Sequence, residues 1–401
     1  MDNAKPITML ANAITRGDTV SGADRIFIEL ARRWQPYHRI TIITNTAGVQ
    51  MLQAQHLEGV DLVVSPTHSF DRLGILPAYL IRTIWGILSF SLSRQDQVLV
   101  YSSSDFWPDS IPAFFRKLIR PTAQWIAGFY LFAPRPGQSD SPYRGKYWLT
   151  GLFYWLTQLP AYWLIQHFAD MVFVTSDPDV QKFITPKRGQ DRIVVVRGGV
   201  DTRAAQEYSS GGMALTDKKY AACFVGRFHP QKGVLELVDI WQLVHRKKPE
   251  AKLAIIGIGV LEEELRKKIA AAGLTDNIDV LGFRDGDAKY EIFKQSKIVV
   301  HPAIFDSGGM AACEAMAWGL PGVSFDLEAL KTYYPQGMLK TPCFDFARFA
   351  ENVLRLLDDS ELYARTRQAA IAWAMEWDWD KRASAVLAQI HKELDGSEII
   401  A

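Results

Sequence analysis

Residues 301–325, HPAIFDSGGMAACEAMAWGLPGVSF, set Asp306 and Glu314 eight positions apart with Ser307, Gly308 and Gly309 between them. Trp318-Gly319-Leu320-Pro321 reads as a helix end, with glycine near the C-cap and proline beyond it. The helix is therefore expected from about Gly309 to Trp318. That puts Asp306 in the loop ahead of it and Glu314 about a turn and a half inside. Backbone N–H groups at a helix start favour an anion or the oxygens of a sugar. Glu314 can accept two hydrogen bonds from a vicinal diol such as a ribose. The two carboxylates read as serving different points on one ligand rather than sharing a proton.

A second loop, GRFHPQKG (226–233), carries Arg227 straight after the strand-like run ACFVG and Lys232 five residues on, just before a helix. Two cations at a strand exit suit a diphosphate, whose negative charge grows when its bond to a sugar breaks. The plainer reading of the same pair is a solvated surface feature. A third loop, TRGDTVSGADR, offers the amides of Gly17 and Gly22 at the edge where open α/β sheets bind ligands. It lacks the GxGxxG spacing, so a dehydrogenase-type dinucleotide fingerprint is missing. Asp285/Asp287 and Asp378/Asp380 have DxD spacing but do not follow strands suitably, and they read as surface acids. His229 and His301 lie near the loops and read as local packing or hydrogen-bonding groups.

These loops need elements to hold them. ITMLANAI, then a glycine loop, then the helix IFIELARRW, then the β-branched RITIITN form a strand–helix–strand order, which signals a parallel sheet. In that helix Ile26, Ile28, Leu30 and Ala31 face a core, and Arg25, Glu29, Arg32 and Arg33 are expected outward. The order returns with YAACFVG and VLELVDIWQLVHRK, then KLAIIGIG and VLEEELRKKIAAAG, then IDVLGF and KIVVHPA. Glu264 and Lys268 are expected to mark one exposed helix face. The polar, glycine-containing stretch from Thr185 to Lys218 reads as the boundary between two α/β halves. The expected division is 1–190, 191–375, and a C-terminal helix over 376–401 packing back towards the first half.

The chain has 401 residues, and two domains fit that length better than one. A formal net charge of +1 with no reader motif argues against a nucleic-acid binder. Cys223, Cys313 and Cys343 share no metal-ligand spacing and read as reduced thiols in a cytosolic setting. The apolar run near the N-terminus is too short for a signal peptide.

From Tyr147 to Ala169 no residue is formally charged and aromatic residues occur throughout. Between 111 and 169 the one acid before that run is Asp140, against Arg116, Lys117, Arg120, Arg135, Arg144 and Lys146. Basic plus aromatic is the composition of a membrane-interface segment. A buried core helix beside a basic loop, and a membrane span interrupted by Gln158, Pro160, Gln166 and His167, are the other readings. The apolar stretch 73–92, split by Arg82, is a candidate for the same face.

Taken in order and spacing, VGRFHPQKG, IIGIGVLEEEL, IDVLGF and HPAIFDSGGMAACEAMAWGLPGV resemble the C-terminal domain of GT-B glycosyltransferases of family 4. VSGADRIFIELARRW is similar to that family's glycine-loop helix, and VRGGVD (196–201) to its interdomain signature. The resemblance implies an α/β protein of two Rossmann-like domains facing each other across a cleft. It implies a retaining transferase moving a sugar from a nucleotide-diphosphate sugar, a co-substrate, to a glycan or lipid-linked acceptor, with no metal or other cofactor. By the same resemblance Arg227 and Lys232 hold the donor diphosphate, and Asp306 and Glu314 are the two acids of E-x7-E, the second on the ribose. Ser307, Gly308, Gly309, Met310 and Ala311 lie near sugar and phosphate, Arg284 near the base, and Gly22, with Gly17 beside it, across the cleft. There are two departures. Asp306 stands where glutamate is usual, and Phe129 and Tyr130 follow the strand AQWIAG where a histidine is often found. They motivate an alternative, a relative that binds a nucleotide sugar or glycan and acts through a partner. The expected location is the cytoplasmic face of a membrane, with peripheral contact through 111–169.

Overall fold

The short apolar runs form two parallel sheets in the computed structural model, which describes residues 5–66, 70, 74–91, 99–138, 141–209 and 218–395. Asp140, the ends of the 73–92 stretch and the Gly211-Gly212 part of the boundary lie outside the described residues. The chain divides into two compact units, one of Met1–Pro136, Lys146–Gly198 and Trp379–Ala401, the other of Gly137–Gly145 and Gly199–Asp378.

The first unit's sheet holds β1 (Ile7–Ala11), β2 (Ile40–Thr44), β3 (Asp61–Val64), β4 (Leu99–Ser102), β5 (Gln124–Gly128), β6 (Met171–Val174) and β7 (Ile193–Val195), in the order β3-β2-β1-β4-β5-β6-β7. The second holds β8 (Tyr220–Val225), β9 (Leu253–Ile256), β10 (Ile278–Gly282), β11 (Ser296–His301), β12 (Gly322–Phe325) and β13 (Met338–Thr341), in the order β10-β9-β8-β11-β12-β13. Helical crossovers return the chain to the same end each time, so the strand pairs are parallel. Central strands such as Leu253–Ile256 are buried throughout, which explains their unbroken apolar sequence. In each sheet the strand order reverses once, between β1 and β4 and between β8 and β11. Such reversals open a crevice at the carboxyl ends of the strands.

One expectation about a helix face needs correction. Glu29, expected outward on the helix Gly22–Trp34, is 8% exposed. The helix Trp379–Ile390 covers this side, with Trp34 Nε1 donating to the Ala383 carbonyl at 3.0 Å. Glu29 is tolerated there because Arg33 lies 2.5 Å from its carboxylate and Arg25 3.5 Å. On the helix Glu262–Ala271 Glu264 is exposed and Lys268 partly so, and Lys268 also reaches Asp239 on the preceding helix at 2.6 Å.

The uncharged segment is one helix, Trp148–Phe168, which runs through Pro160. Gly151, Gln158, Ala161 and Ile165 are its buried residues. Other positions are open to solvent, Leu149 at 70% and Trp163 at 53% exposure. The core-helix reading therefore fails for that outer side. No described helix is long and apolar enough to cross a membrane, which removes the reading as a span. Gln158 does not merely interrupt the run. It donates to Asp105 at 2.9 Å and to the Leu131 carbonyl at 2.8 Å, and accepts from Ala133 N at 2.7 Å. The basic collar is thinner than its sequence implies. Arg116 is buried with its guanidinium over the Phe90 ring, and Lys117 pairs with Asp170 at 2.9 Å.

Candidate functional site

The second unit's strand reversal places the loop after β8 beside the loop after β11. The β8 loop runs through Arg227 and His229 into a single turn, Pro230–Lys232, and leaves through Gly233 at φ +66° into the helix Val234–Lys247. A Cβ on Gly233 would lie 1.9 Å from the Pro302 carbonyl oxygen, so glycine alone fits both the backbone angle and the approach. Ile304 N and Phe305 N both donate to the Gln231 carbonyl, at 3.0 and 3.2 Å. Thus joined, the two loops bring Lys232 Nζ to 2.5 Å from Asp306 Oδ2.

Asp306 is held on all sides. Its Oδ1 accepts from Ser307 N at 3.0 Å and Gly308 N at 3.4 Å, and His301 Nε2 lies 3.3 Å from Oδ2. Its side chain is 8% exposed. Burial by itself would raise the Asp306 carboxyl, but the Lys232 ammonium, with His301, outweighs it and holds the group well below the usual carboxylate range. Burial lowers His301, leaving a neutral imidazole. The amides of Ser307 and Gly308, expected to be open to a ligand, are turned to Asp306 itself.

The glycine pair has a packing reason that the sequence does not announce. A Cβ on Gly308 would lie 2.4 Å from the Tyr333 ring, and one on Gly309 2.2 Å from the Tyr334 ring. Both tyrosines are buried. The helix that follows is Met310–Ala317, with Gly309 at its N-cap, so Met310 and Ala311 form its first turn.

Glu314, on that helix, is paired. Lys289 Nζ lies 2.8 Å from Glu314 Oε2 and 2.9 Å from Asp285 Oδ1. Burial would lower the Lys289 ammonium, yet Glu314 and Asp285 together hold it above its usual value. Lys289 and Asp285 were not read from the sequence as site residues. The available signal was their spacing of four across the start of a helix after a strand. Arg284, just before them, is exposed and donates to the Phe283 carbonyl at 2.8 Å. The other DxD pair is structural, since Asp378 accepts from Thr202 at 2.6 Å and Asp380 pairs with Arg33 at 2.6 Å.

Arg227 is exposed, and its side chain makes no hydrogen bond or ion pair among the described residues, while its carbonyl accepts from His229 N at 2.8 Å. Beside it His229 meets the Tyr143 ring edge-on at 5.7 Å. Burial, then the charges of Arg227 and Lys232, push the His229 pKa down to about 4. Burial and the two neighbouring charges thus favour the neutral imidazole.

Gly17 and Gly22 belong to the first unit, in and after the loop that leaves β1. A Cβ on Gly17 would lie 2.8 Å from the Ala47 carbonyl oxygen, and Gly22 opens the helix behind the Ser21–Asp24 capping box. The root of this loop is fixed from β4's side of the reversal. Asp109 accepts from Asn12 N at 2.6 Å and Ala13 N at 3.0 Å, and Arg82 donates to the Ile14 carbonyl at 2.8 Å. Phe129 and Tyr130, after β5, are buried, and the Tyr130 hydroxyl bonds to that of Tyr101.

This constellation can be set beside known proteins. The family profile described as Glycosyl transferases group 1 matches residues 210–373. Over that segment the chain is similar to the group 1 glycosyl transferases. Among curated relatives, the phosphatidyl-myo-inositol mannosyltransferase of Mycobacterium leprae (strain TN) is 32% identical over 204 residues, 50% of this chain and 53% of that protein. The GDP-mannose:cellobiosyl-diphosphopolyprenol alpha-mannosyltransferase of Xanthomonas oryzae pv. oryzae (strain PXO99A) is 26% identical over 232 residues, 56% and 58% of the two chains. The chain spans about half the length of the curated relatives it matches. Of solved structures, Anabaena Alr3699/HepE in complex with UDP and glucose superposes with a TM-score of 0.69 at 16% identity, covering 96% of this chain and 98% of that one. Sucrose-phosphate synthase from Thermosynechococcus elongatus gives 0.72 at 13%, covering 98% and 100%. The fold of this chain is GT-B, two parallel-sheet α/β domains.

Proposed function

We propose that the protein moves a sugar from a nucleotide-diphosphate sugar to a glycan or lipid-linked acceptor, with retention of anomeric configuration, at the cytoplasmic face of a membrane. The observation that carries this reading is the convergence of Arg227, Lys232 and Glu314 on loops and helices at the carboxyl edge of one parallel sheet, next to its strand reversal. Arg227 and Lys232 suit the departing diphosphate, and Glu314 suits the ribose diol. The helix opening at Met310 and Ala311 directs amides towards the same end. These groups stabilise the charge that develops on the leaving nucleoside diphosphate. A donor phosphate oxygen is then positioned to take the acceptor's proton, which asks for no histidine base. No metal is assigned a role.

The names of the relatives, mannosyltransferases acting on phosphatidyl-myo-inositol and on a diphosphopolyprenol, support a lipid-linked acceptor. So does the exposed apolar side of Trp148–Phe168, with Leu149, Phe153, Leu156 and Trp163, preceded by the exposed Lys146. The test is transfer of labelled sugar from a panel of nucleotide sugars to lipid-linked and soluble acceptors. Turnover by wild type that is lost in Lys232→Ala supports the reading. The second reading, a non-catalytic relative, is favoured by one observation, the engagement of Asp306 by protein groups alone. Binding without any turnover of a bound donor would select it.

A further inference from the structure

Three protein donors already engage Asp306. Its Oδ1 is taken by the amides of Ser307 and Gly308, and its Oδ2 by Lys232 at 2.5 Å, with His301 Nε2 standing 3.3 Å away. The side chain is 8% exposed. A carboxylate one methylene shorter than glutamate stays at the base of the loop, against the ammonium. The Arg227 side chain, by contrast, is exposed and unengaged among the described residues.

Resting on the proposed nucleotide-sugar site, we infer that Asp306 is the internal counter-anion of the diphosphate subsite, not a contact to the donor sugar. It cancels part of the Lys232 charge before a ligand arrives. The two amides keep it in place when Lys232 turns its other N–H groups to phosphate, since they do not depend on the lysine. The like charge of Asp306 then opposes the diphosphate. That weakens the hold on the donor and on the nucleoside diphosphate left after transfer by the same factor. The consequence for the reaction is easier product release.

The two roles are separated by ligands with and without a sugar. Wild type, Asp306→Asn and Asp306→Ser are titrated with UDP, GDP and ADP and with the matching nucleotide sugars. Asp306→Ser keeps a side-chain oxygen for the Ser307 and Gly308 amides, so it serves if Asp306→Asn folds poorly. The expected result is nucleoside diphosphate binding about three- to thirtyfold tighter in the variants, by removal of a nearby like charge at an intermediate effective dielectric. Nucleotide sugars should gain by the same factor. A merely structural role gives no gain. Unchanged or weaker nucleoside diphosphate binding, or a loss confined to nucleotide sugars, overturns the inference. If wild type binds none of the three diphosphates, it is the site reading beneath it that fails.

Discussion

Lys289 Nζ stands 2.8 Å from Glu314 Oε2, and the two residues come from helices that follow different strands, β10 and β11. With Asp285 on its other side, Lys289 pairs with the Glu314 carboxylate. Lys289→Met is expected to leave Glu314 and Asp285 without their shared cation. Breaking a buried ion pair in this way costs about 3 kcal/mol. Thermal unfolding should show that loss, and donor KM should rise more than kcat falls, because the proposed function puts Glu314 on the part of the donor that does not react.

Arg227→Ala should lower kcat/KM by about a hundredfold, as expected when one preorganised cation is removed from a developing charge. Arg227→Lys should recover only part of it, since an ammonium cannot grip two phosphate oxygens as a guanidinium does. Steady-state kinetics with the accepted donor measures both.

How far the site can be read from sequence depends on whether the signal is local. Arg227, Lys232 and Glu314 sit at fixed distances from strand ends and glycine loops, so their places at the sheet's edge follow from spacing along the chain. Lys289 and Glu314 are joined only through the order of β10, β9, β8 and β11, which no local pattern states. The same holds for Glu29, whose burial depends on a helix hundreds of residues later. Gly308 and Gly309 were legible as a loop, yet their need for hydrogen in place of a side chain comes from Tyr333 and Tyr334. The strands themselves were legible because burial on both faces leaves continuous apolar runs.

Gly308→Ala tests that packing. The added methyl group would meet the Tyr333 ring at 2.4 Å, and overpacking of this kind costs about 1–3 kcal/mol. Denaturant unfolding should show it, with the midpoint shifted and the slope unchanged.

His229 titrates at about 4 in the folded protein, below its ordinary value of 6.5. The unfolded chain takes up this proton first, so the folded state loses stability as pH falls from about 6.5 towards 4. Above that window His229 contributes no pH dependence. The melting temperature measured across pH 4–7 should fall on the acid side. His229→Gln should flatten that part of the curve. A bound diphosphate should raise the imidazole pKa and reduce the loss.

Leu149→Ser combined with Trp163→Ser removes two of the most exposed apolar side chains on the helix Trp148–Phe168. Flotation with anionic liposomes should show binding weakened about tenfold or more, since interfacial affinity follows buried apolar area. Transfer to a soluble acceptor should persist. Equal flotation of variant and wild type would remove the membrane part of the account.

Calorimetric titration of UDP, GDP and ADP into wild type and Arg227→Ala shows whether the loops after β8 and β11 hold a nucleoside diphosphate. At least one of them should bind wild type saturably, with binding weakened about tenfold or more in the variant. Absence of binding to wild type, or equal binding by both proteins, would contradict it.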